Sequence, residues 1–520
     1  MIETVSSKES LPKATVIGSG FGGLAAAIRM QKKGYQTTIY ERLDKPGGRA
    51  YVFSQDGFTF DSGPTIVTAP FLLSEIWDLC GKKFEDYVDL RPMDPFYRIR
   101  FNDGTSFNYS GDPEAMRKEV ARFSPSDLKG YEKFMVEAEK CYDLGYVKLG
   151  NLPYNSFGDL TYSIPSMVKM RAWKNIYQMV ASFIKSEKLR QVFSFHPLLI
   201  GGNPSSITCV YSLIAALERR YGVHSAMGGT GAIVNGLVKL FEELGGKICF
   251  NSEVNKIEVK KNKAVGIKLK NGKLIPSEIV ISNADTAWTY QNLIDSKYRK
   301  YWTNKRIDKS AFSMGLFVWF FGVNKKYASV PHHTILLGPR YLDLLKDIFK
   351  NKKLAKDFSL YLHRPTATDP SLAPDGCDTF YVLSPVPNLE GNIDWTSEAE
   401  RYKEAISSYL EEALLPGLKS SVITSKVMTP YDFRDKYLAF RGAAFGLEPI
   451  LTQSAWFRPH NQSEDITNLF MVGAGTHPGA GIPGVLTSAK LLDKVIPKPS
   501  SNQVTGPSSP FERKAVYGNA

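Results

Sequence analysis

Gly18, Gly20 and Gly23 form a G-x-G-x-x-G run between an apolar segment, Ala14-Thr15-Val16-Ile17, and a stretch rich in helix formers from Leu24 to Met30. Glycines at this spacing can hold a dinucleotide. The first permits a tight turn, and the second lets a pyrophosphate approach the backbone. The third lets helix and strand pack closely, with the helix N-terminus facing the anion. Gly34 reads as the helix stop. Gln36–Tyr40 reads as the next strand, and Glu41 stands at its end, 23 residues after Gly18. A carboxylate there can accept hydrogen bonds from an adenosine ribose. It would also repel a 2′-phosphate, which argues against NADP. A glycine run alone is a weak signal; strand, glycines, helix, strand and acid in this order are a specific one.

Pro46-Gly47-Gly48-Arg49 follows directly. Two glycines and an arginine suggest a second approach of backbone and cation to the same pyrophosphate. With the first motif, this arrangement resembles flavoproteins of the amine oxidase and carotenoid desaturase superfamily, whose pattern after the ribose-binding acid includes a G-G-R turn. The resemblance implies FAD rather than NAD. Gly57 to Phe60 alternates and leads into Gly63-Pro64-Thr65. In the superfamily this segment brings the chain to the flavin ring, and the residue matching Val254 meets the adenine through its backbone.

These residues need elements to position them. From Phe71 to Tyr221 the pattern reads as mainly helical, with a polar break at Ser124-Pro125-Ser126-Asp127. A second nucleotide-domain piece starts near Gly228. Its helix carries Ile233, Leu237, Leu240 and Leu244 and stops at Gly245-Gly246. Strands follow over 247–250, 254–259 and 264–269, with a hairpin signal at Asn271-Gly272 and a further strand ending at Ser282-Asn283-Ala284-Asp285. A third piece runs from a strand at 469–472 through a glycine-rich loop at 473–485 to a helix over 486–494. Its backbone N–H groups suit the flavin end of the cofactor; Gly475, Gly484 and Val485 are the candidates there.

The expected fold is α/β. A Rossmann-type FAD-binding domain is assembled from discontinuous segments at 14–95, 225–292 and 431–497. An α+β substrate domain occupies 96–224 and 293–430, and its first part includes a helical membrane-facing region. Residues 1–13 form a polar segment, and the Ser-, Pro- and Asn-rich tail at 498–520 is expected to be disordered.

A chain of 520 residues can bury a large core and divide into domains. Five cysteines lie scattered without a C-x-x-C pair, which fits a reducing compartment and gives no support to disulfides or a cysteine metal site. No metal is expected, and the adjacent His332 and His333 read as part of a surface loop. The N-terminal segment lacks the apolar core of a signal peptide. The longest apolar run, Met314 to Val323, is about half the length of a bilayer-spanning helix and reads as a buried strand. No transmembrane helix is expected.

The net charge of +13 comes without a zinc finger, an RRM-like aromatic motif or an arginine-rich arm. It favours an anionic membrane surface over nucleic acid, and so a cytoplasmic protein peripheral on a membrane. Between Lys169 and Arg190, Trp173, Ile176, Val180, Phe183 and Ile184 recur at helical spacing among lysines and arginines. This is either an interfacial amphipathic helix or a domain helix covering a cavity; periodicity does not separate the two.

The string Val-Gly-Ala-Gly-Thr-His-Pro-Gly-Ala-Gly-Ile-Pro-Gly-Val at 472–485 resembles the bacterial-type phytoene desaturases. So do Pro95-Phe96-Tyr97-Arg98, Phe123-Ser124-Pro125, the segment from Phe195 to Pro204, Thr429-Pro430-Tyr431-Asp432-Phe433-Arg434-Asp435, and Ser454-Ala455-Trp456-Phe457-Arg458-Pro459-His460. The resemblance runs from about residue 14 to residue 492. It implies an FAD enzyme that inserts conjugated double bonds into an apolar C40 polyene, converting 15-cis-phytoene to lycopene or a less desaturated carotene. Electrons would pass to membrane quinone or oxygen.

Breaking a C–H bond beside a conjugated triene delocalises the developing charge. The flavin can take a hydride, while a base must take the adjacent proton. A hydrocarbon offers no polar handle, so its site must be a long apolar tunnel. His477, in the flavin loop, is a weak candidate for the proton acceptor, or it braces the loop. His196 reads as a satisfied structural histidine. Other readings are a desaturase or isomerase acting on another carotenoid, an amine oxidase-like flavoenzyme, and a non-catalytic basic membrane- or nucleic-acid-binding protein.

Overall fold

The strand Lys13–Ile17 lies at the centre of a five-stranded parallel sheet. Ile279–Ser282 and then Leu469–Met471 flank it on one side, Gln36–Tyr40 and then Lys247–Cys249 on the other. Strands buried on both faces read as near-continuous apolar runs, as Ala14–Ile17, broken only by Thr15, and Ile279–Ile281 do. The five strands come from three distant stretches of chain, so the Rossmann-type region is discontinuous, as expected. A computed structural model describes residues 11–499; most of the polar N-terminal segment and of the tail lies outside the described residues.

The helix Phe21–Lys33 follows the glycine turn and is buried from Phe21 through Met30. Its Arg29, 3% exposed, reaches Glu75 at 2.5 Å and Asp493 at 2.6 Å. Those two pairs tie it to the helices Pro70–Leu79 and Ile482–Val495. The last helix begins at Ile482, four residues before the sequence places it, with Pro483 in its first turn. A proline is tolerated there because the first-turn N–H groups have no intrahelical acceptor. Gly484 and Val485 therefore lie in the helix's first turn and not in the loop.

A seven-stranded, mostly antiparallel sheet makes up the second layer, in the order 422–428, 315–323, 378–386, 360–363, 333–336, 97–100, 106–109. Gly315–Val323 is buried at every position, because both of its faces are covered. Phe317, Trp319, Phe321 and Val323 pack with Trp395, Tyr402 and Ile406 of the helix Trp395–Ala413. Leu316, Val318 and Phe320 face the other way, and Met314, Leu316 and Val318 line the central cavity. The buried strand read from the sequence thus supplies a cavity wall.

Two expectations need correction and one an addition. The region 71–221 is mainly helical, as expected, but also carries strands. Tyr97–Arg100 and Ser106–Tyr109 form a hairpin that closes one edge of the large sheet, turning through Gly104 at φ 84°. Lys169 to Arg190 is not one helix. The helix Phe157–Lys169 ends there, Arg171 takes a left-handed φ of 54°, and Asn175 caps a new helix, Ile176–Ala181, through a capping box with Gln178. A third helix, Glu187–Ser194, follows. Ile176, Val180 and Ile184 are fully buried, so the apolar stripe faces the core, while Trp173 stands 63% exposed. His332 and His333 do not sit on the surface; they enter the buried strand His333–Leu336.

Candidate active site

Gly18, at φ 88°, turns the chain out of the central strand, and its N–H donates to the Tyr40 carbonyl at 2.9 Å. A Cβ on Gly23 would stand 2.0 Å from the Gly18 carbonyl oxygen. Only glycine permits that helix–turn contact. The Gly47 N–H donates to the Ser19 carbonyl at 3.0 Å, which seats the second glycine turn on the first. A Cβ on Gly63 would lie 1.8 Å from the Arg49 carbonyl oxygen, so the Gly63-Pro64-Thr65 segment stacks backbone on backbone against that turn.

Glu41 is 5% exposed. One carboxylate oxygen accepts from the Ser19 N–H and hydroxyl, each at 2.7 Å, and the other from the Leu43 N–H at 2.8 Å. A carboxylate has about four lone-pair sites, so these bonds orient Glu41 and leave it capacity for a ribose hydroxyl. Arg49 faces the buried Asp285 at 3.7 Å. Burial pushes the Asp285 carboxyl up and the Arg49 charge draws it back.

Asn283 is wedged under both glycine loops. Cβ atoms on Gly22 and Gly473 would fall 2.5 and 2.7 Å from its Oδ1. Neither Asn283 nor Asp285 was singled out from the sequence. The available signal was their place at the C-terminal end of a central parallel strand, where open α/β sheets bind ligands.

The closing loop is held from behind. Arg458, 1% exposed, donates to the carbonyls of Ala474 at 2.7 Å, Thr476 at 3.2 Å, and Leu447 and Gln453 at 3.3 Å. Cβ atoms would lie 2.3 Å from the Thr286 hydroxyl if built on Gly475, and 2.5 Å from the Gly479 carbonyl oxygen if built on Gly484. Both glycines are therefore required by the protein's own packing. Gly18, Gly20, Glu41, Gly48, Arg49, Gly63, Pro64, Thr65, Val254, His477, Gly484 and Val485 all line one cavity; Gly23 and Gly475 support it from outside.

That cavity has a volume of about 540 Å³. Beyond the glycine loops its walls are largely apolar, with Met167, Met170, Leu213, Leu217, Leu316 and Leu360 among them. Glu218 is a polar exception. It is fully buried, accepts from the Tyr97 hydroxyl at 2.8 Å and lies 3.2 Å from His196 Nε2, but among the described residues neither ring nitrogen of His196 makes a hydrogen bond, so His196 is buried without being satisfied as the sequence leads one to expect. His477 is 3% exposed, and its ring meets Tyr154 edge-on. Burial, with the nearby His460 and Arg458, holds its imidazole down to about 3. A ring so weakly basic suits a loop brace better than a proton acceptor at neutral pH.

These buried groups make the protein acid-labile. Burial holds His332 and His477 down to about 3 and His333 and His363 well below the usual range. Between their ordinary value near 6.5 and the lowered folded values, the unfolded chain binds more protons, so stability falls as pH falls. Asp61 opposes this. Burial raises it to about 6, so its contribution grows on acidification from about 6 toward 4. Burial raises Asp285 and Glu448 as well, but five lowered imidazoles, His224 included, outnumber these three carboxyls. Urea midpoints are expected to drop steeply from about pH 6.5 to pH 4, with each histidine contributing up to about 1.4 kcal/mol per pH unit. A flat profile over that range would contradict the buried, neutral state of these rings.

A family model for flavin containing amine oxidoreductases matches residues 21–491. The lycopene-forming phytoene desaturase of Pantoea ananas is 48% identical over 477 residues, covering 92% of this chain and 97% of its own. The neurosporene-forming phytoene desaturase of Rhodobacter capsulatus is 47% identical over 495 residues, 94% of each chain. Among solved structures, an oxidoreductase from Methanosarcina mazei aligns with a TM-score of 0.63 at 19% identity, over 93% of this chain and 100% of that one. Putrescine oxidase bound to putrescine aligns with a TM-score of 0.63 at 12% identity, over 94% and 99%. At such identities these two structures establish the fold alone.

Proposed function

The chain belongs to the flavin containing amine oxidoreductase family and, within it, to the phytoene desaturases, and from that premise we propose that it converts 15-cis-phytoene to lycopene with FAD as its hydride acceptor. It is a flavin-dependent oxidoreductase of carotenoid biosynthesis. The observation that carries the finer reading is the single cavity in which the dinucleotide-type glycine loops open onto apolar walls. An elongated hydrocarbon needs such walls, and selectivity must then come from shape. Expression in a phytoene-accumulating cell tests the reading. Lycopene is the expected pigment; neurosporene would shorten the series, and unchanged phytoene would overturn it.

The residues fit FAD. Glu41 would take the ribose, Gly18, Gly20, Gly48 and Arg49 the pyrophosphate, and the backbone of Val254 the adenine. Gly63-Pro64-Thr65 and the Gly484-Val485 helix start would take the flavin end. When bound, the flavin supplies a two-electron acceptor for hydride. The protein's own part is to exclude water, align the polyene and manage the proton. Electrons would then leave to quinone or oxygen at a membrane.

No helix among the described residues is long and apolar enough to cross a membrane. Peripheral attachment is supported by the helix Phe157–Lys169, which is built inside out. Ser163 and Ser166 are buried, while Phe157, Tyr162, Ile164 and Val168 are exposed. Trp173 and Phe457 are exposed as well, Lys148, Lys169, Arg171 and Lys174 supply positive charge nearby in the chain, and Met167 and Met170 line the cavity. Charge attraction is screened by salt and apolar insertion is not, so high salt should weaken liposome binding without abolishing it. Phe157→Glu with Val168→Glu should weaken it at least tenfold further. Each side chain inserted is worth about 1.5–3 kcal/mol, and both positions are exposed enough to leave the fold intact. Sedimentation with anionic liposomes measures this; unchanged binding would place the contact elsewhere.

A further inference from the structure

Each double bond formed removes two hydrogens from the polyene. One leaves as hydride with the electron pair of its C–H bond, to the flavin. The other leaves as a proton, and the electrons of its C–H bond become the new π bond. A largely apolar cavity offers that proton few routes. Glu218 holds the Tyr97 hydroxyl with one oxygen while its other faces His196 without a hydrogen bond, and among the described residues neither ring nitrogen of His477 has a partner to pass a proton to.

One wall does offer a route. The Tyr381 hydroxyl lies 2.6 Å from Thr65 Oγ1, which lies 3.0 Å from the Tyr361 hydroxyl, which lies 2.7 Å from His333 Nδ1. Tyr381, Thr65 and Tyr361 all line the cavity, and Thr65 belongs to the segment read as reaching the flavin ring. Among the described residues, His333 Nε2 is buried without a hydrogen-bond partner. One nitrogen of each of His332, His333 and His363 lies within 4.8 Å of the others, a separation that a single water bridges. His332 and His363 meet through their Nε2 atoms at 3.0 Å, and His332 Nδ1 meets the hydroxyl of Thr368, a half-buried residue, at 2.6 Å.

We propose that Tyr381, Thr65, Tyr361 and His333 form a proton relay that carries the proton of each desaturation out of the cavity, toward His332 and Thr368. A proton accepted at the Tyr381 oxygen displaces the hydroxyl proton toward Thr65, Thr65 passes its own to Tyr361, and Tyr361 passes its own to His333 Nδ1. No group changes oxidation state, and the net transfer is one proton. Burial keeps the three imidazoles neutral, so they pass the proton on and do not store it.

The inference rests on the desaturase reading, and the test separates the two. FAD-loaded protein is mixed anaerobically with phytoene in liposomes, and flavin reduction is followed in H2O and D2O. Tyr361→Phe keeps the ring and removes the link. It should retain flavin, melt at a somewhat lower temperature because His333 Nδ1 loses its partner, reduce flavin about a hundredfold more slowly, and show a larger solvent isotope effect than the parent, because proton transfer now limits the step. If Tyr361→Phe loses its flavin, Tyr381→Phe breaks the chain at its cavity end and carries the same expectation. Reduction within twofold of the parent, or slowing with an unchanged isotope effect, would overturn the relay. So would a stoichiometric transition metal in the purified holoenzyme, since three imidazoles can also ligate a metal and their lone pairs would then be occupied. A parent protein whose flavin phytoene does not reduce would remove the desaturase reading, and the relay with it.

Discussion

Gly23→Ala is expected to give a folded chain that purifies without flavin. The added methyl group would stand 2.0 Å from the Gly18 carbonyl oxygen, a backbone atom inside the turn proposed to face the pyrophosphate. No side chain can swing aside to relieve this contact, so the helix Phe21–Lys33 must retreat from the turn. That helix is anchored at Arg29 to Glu75 and Asp493, so the displacement falls on the glycine turn itself. Overpacking of this kind costs about 1–3 kcal/mol in well-packed cores. Here it is concentrated where the backbone N–H groups must point at an anion.

A loss of at least a hundredfold in FAD affinity, about 2.7 kcal/mol, is the expected result, read as flavin absorbance per polypeptide after desalting. Gly63→Ala, with its methyl 1.8 Å from the Arg49 carbonyl oxygen, should behave alike. Gly81→Ala serves as the control. Its φ of +71° makes alanine strained, but a Cβ there meets nothing within 4 Å. It should lose about 1–2 kcal/mol of stability and keep its flavin. Full flavin occupancy in Gly23→Ala would mean that the turn does not hold the pyrophosphate.

The glycine turns of the candidate site were legible in the sequence because they are a matter of backbone geometry. Glycine spacing reports directly on turns and close approaches, and Glu41 sits at a fixed distance along the chain from them. Asn283, Asp285 and Arg458 were not legible as parts of the site, because no sequence spacing announces the loops they hold. Asn283 contacts glycines from both ends of the chain, and Arg458 bonds four carbonyls that no spacing rule connects.

The helix over 169–190 failed for a different reason. An apolar repeat near 3.6 survives across two short helices when turns at Arg171–Asn175 and 182–186 happen to keep the phase. Periodicity also missed the inside-out helix at Phe157–Lys169, since its pattern is that of an ordinary amphipathic helix and only burial shows which face is turned outward. The adjacent histidines misled by composition. A polar pair suggests a loop, yet burial is tolerated where Thr368, Tyr361 and a third histidine satisfy both nitrogens of His332 and one of His333.

Arg458→Met should also yield apoprotein, but by a different path. The guanidinium is fully enclosed and, among the described residues, has no carboxylate partner; its N–H groups go to four backbone carbonyls. Two of these, Ala474 and Thr476, belong to the closing loop, and two, Leu447 and Gln453, to the segment that carries Leu451, Ser454 and Ala455 along the cavity. The arginine therefore couples the flavin loop to part of the substrate wall. Methionine fills much of the volume but donates nothing, and each buried carbonyl left bare costs about 1–3 kcal/mol.

If only the Ala474 and Thr476 oxygens fail to find new donors, the loss is about 2–6 kcal/mol. That is enough to loosen the loop even where the rest of the core holds. The variant should melt at a lower temperature, lose flavin on dilution, and regain part of its occupancy at high FAD concentration, because ligand binding adds stability to a loop it orders. Arg458→Lys should fall between the two. It keeps the charge but offers three donors from one nitrogen, which cannot span carbonyls arranged around a planar fork. Equal flavin retention in the parent, Lys and Met forms would show that the closing loop holds its shape without Arg458. The coupling between flavin loop and substrate wall would then have to run through Gly475 against Thr286 instead.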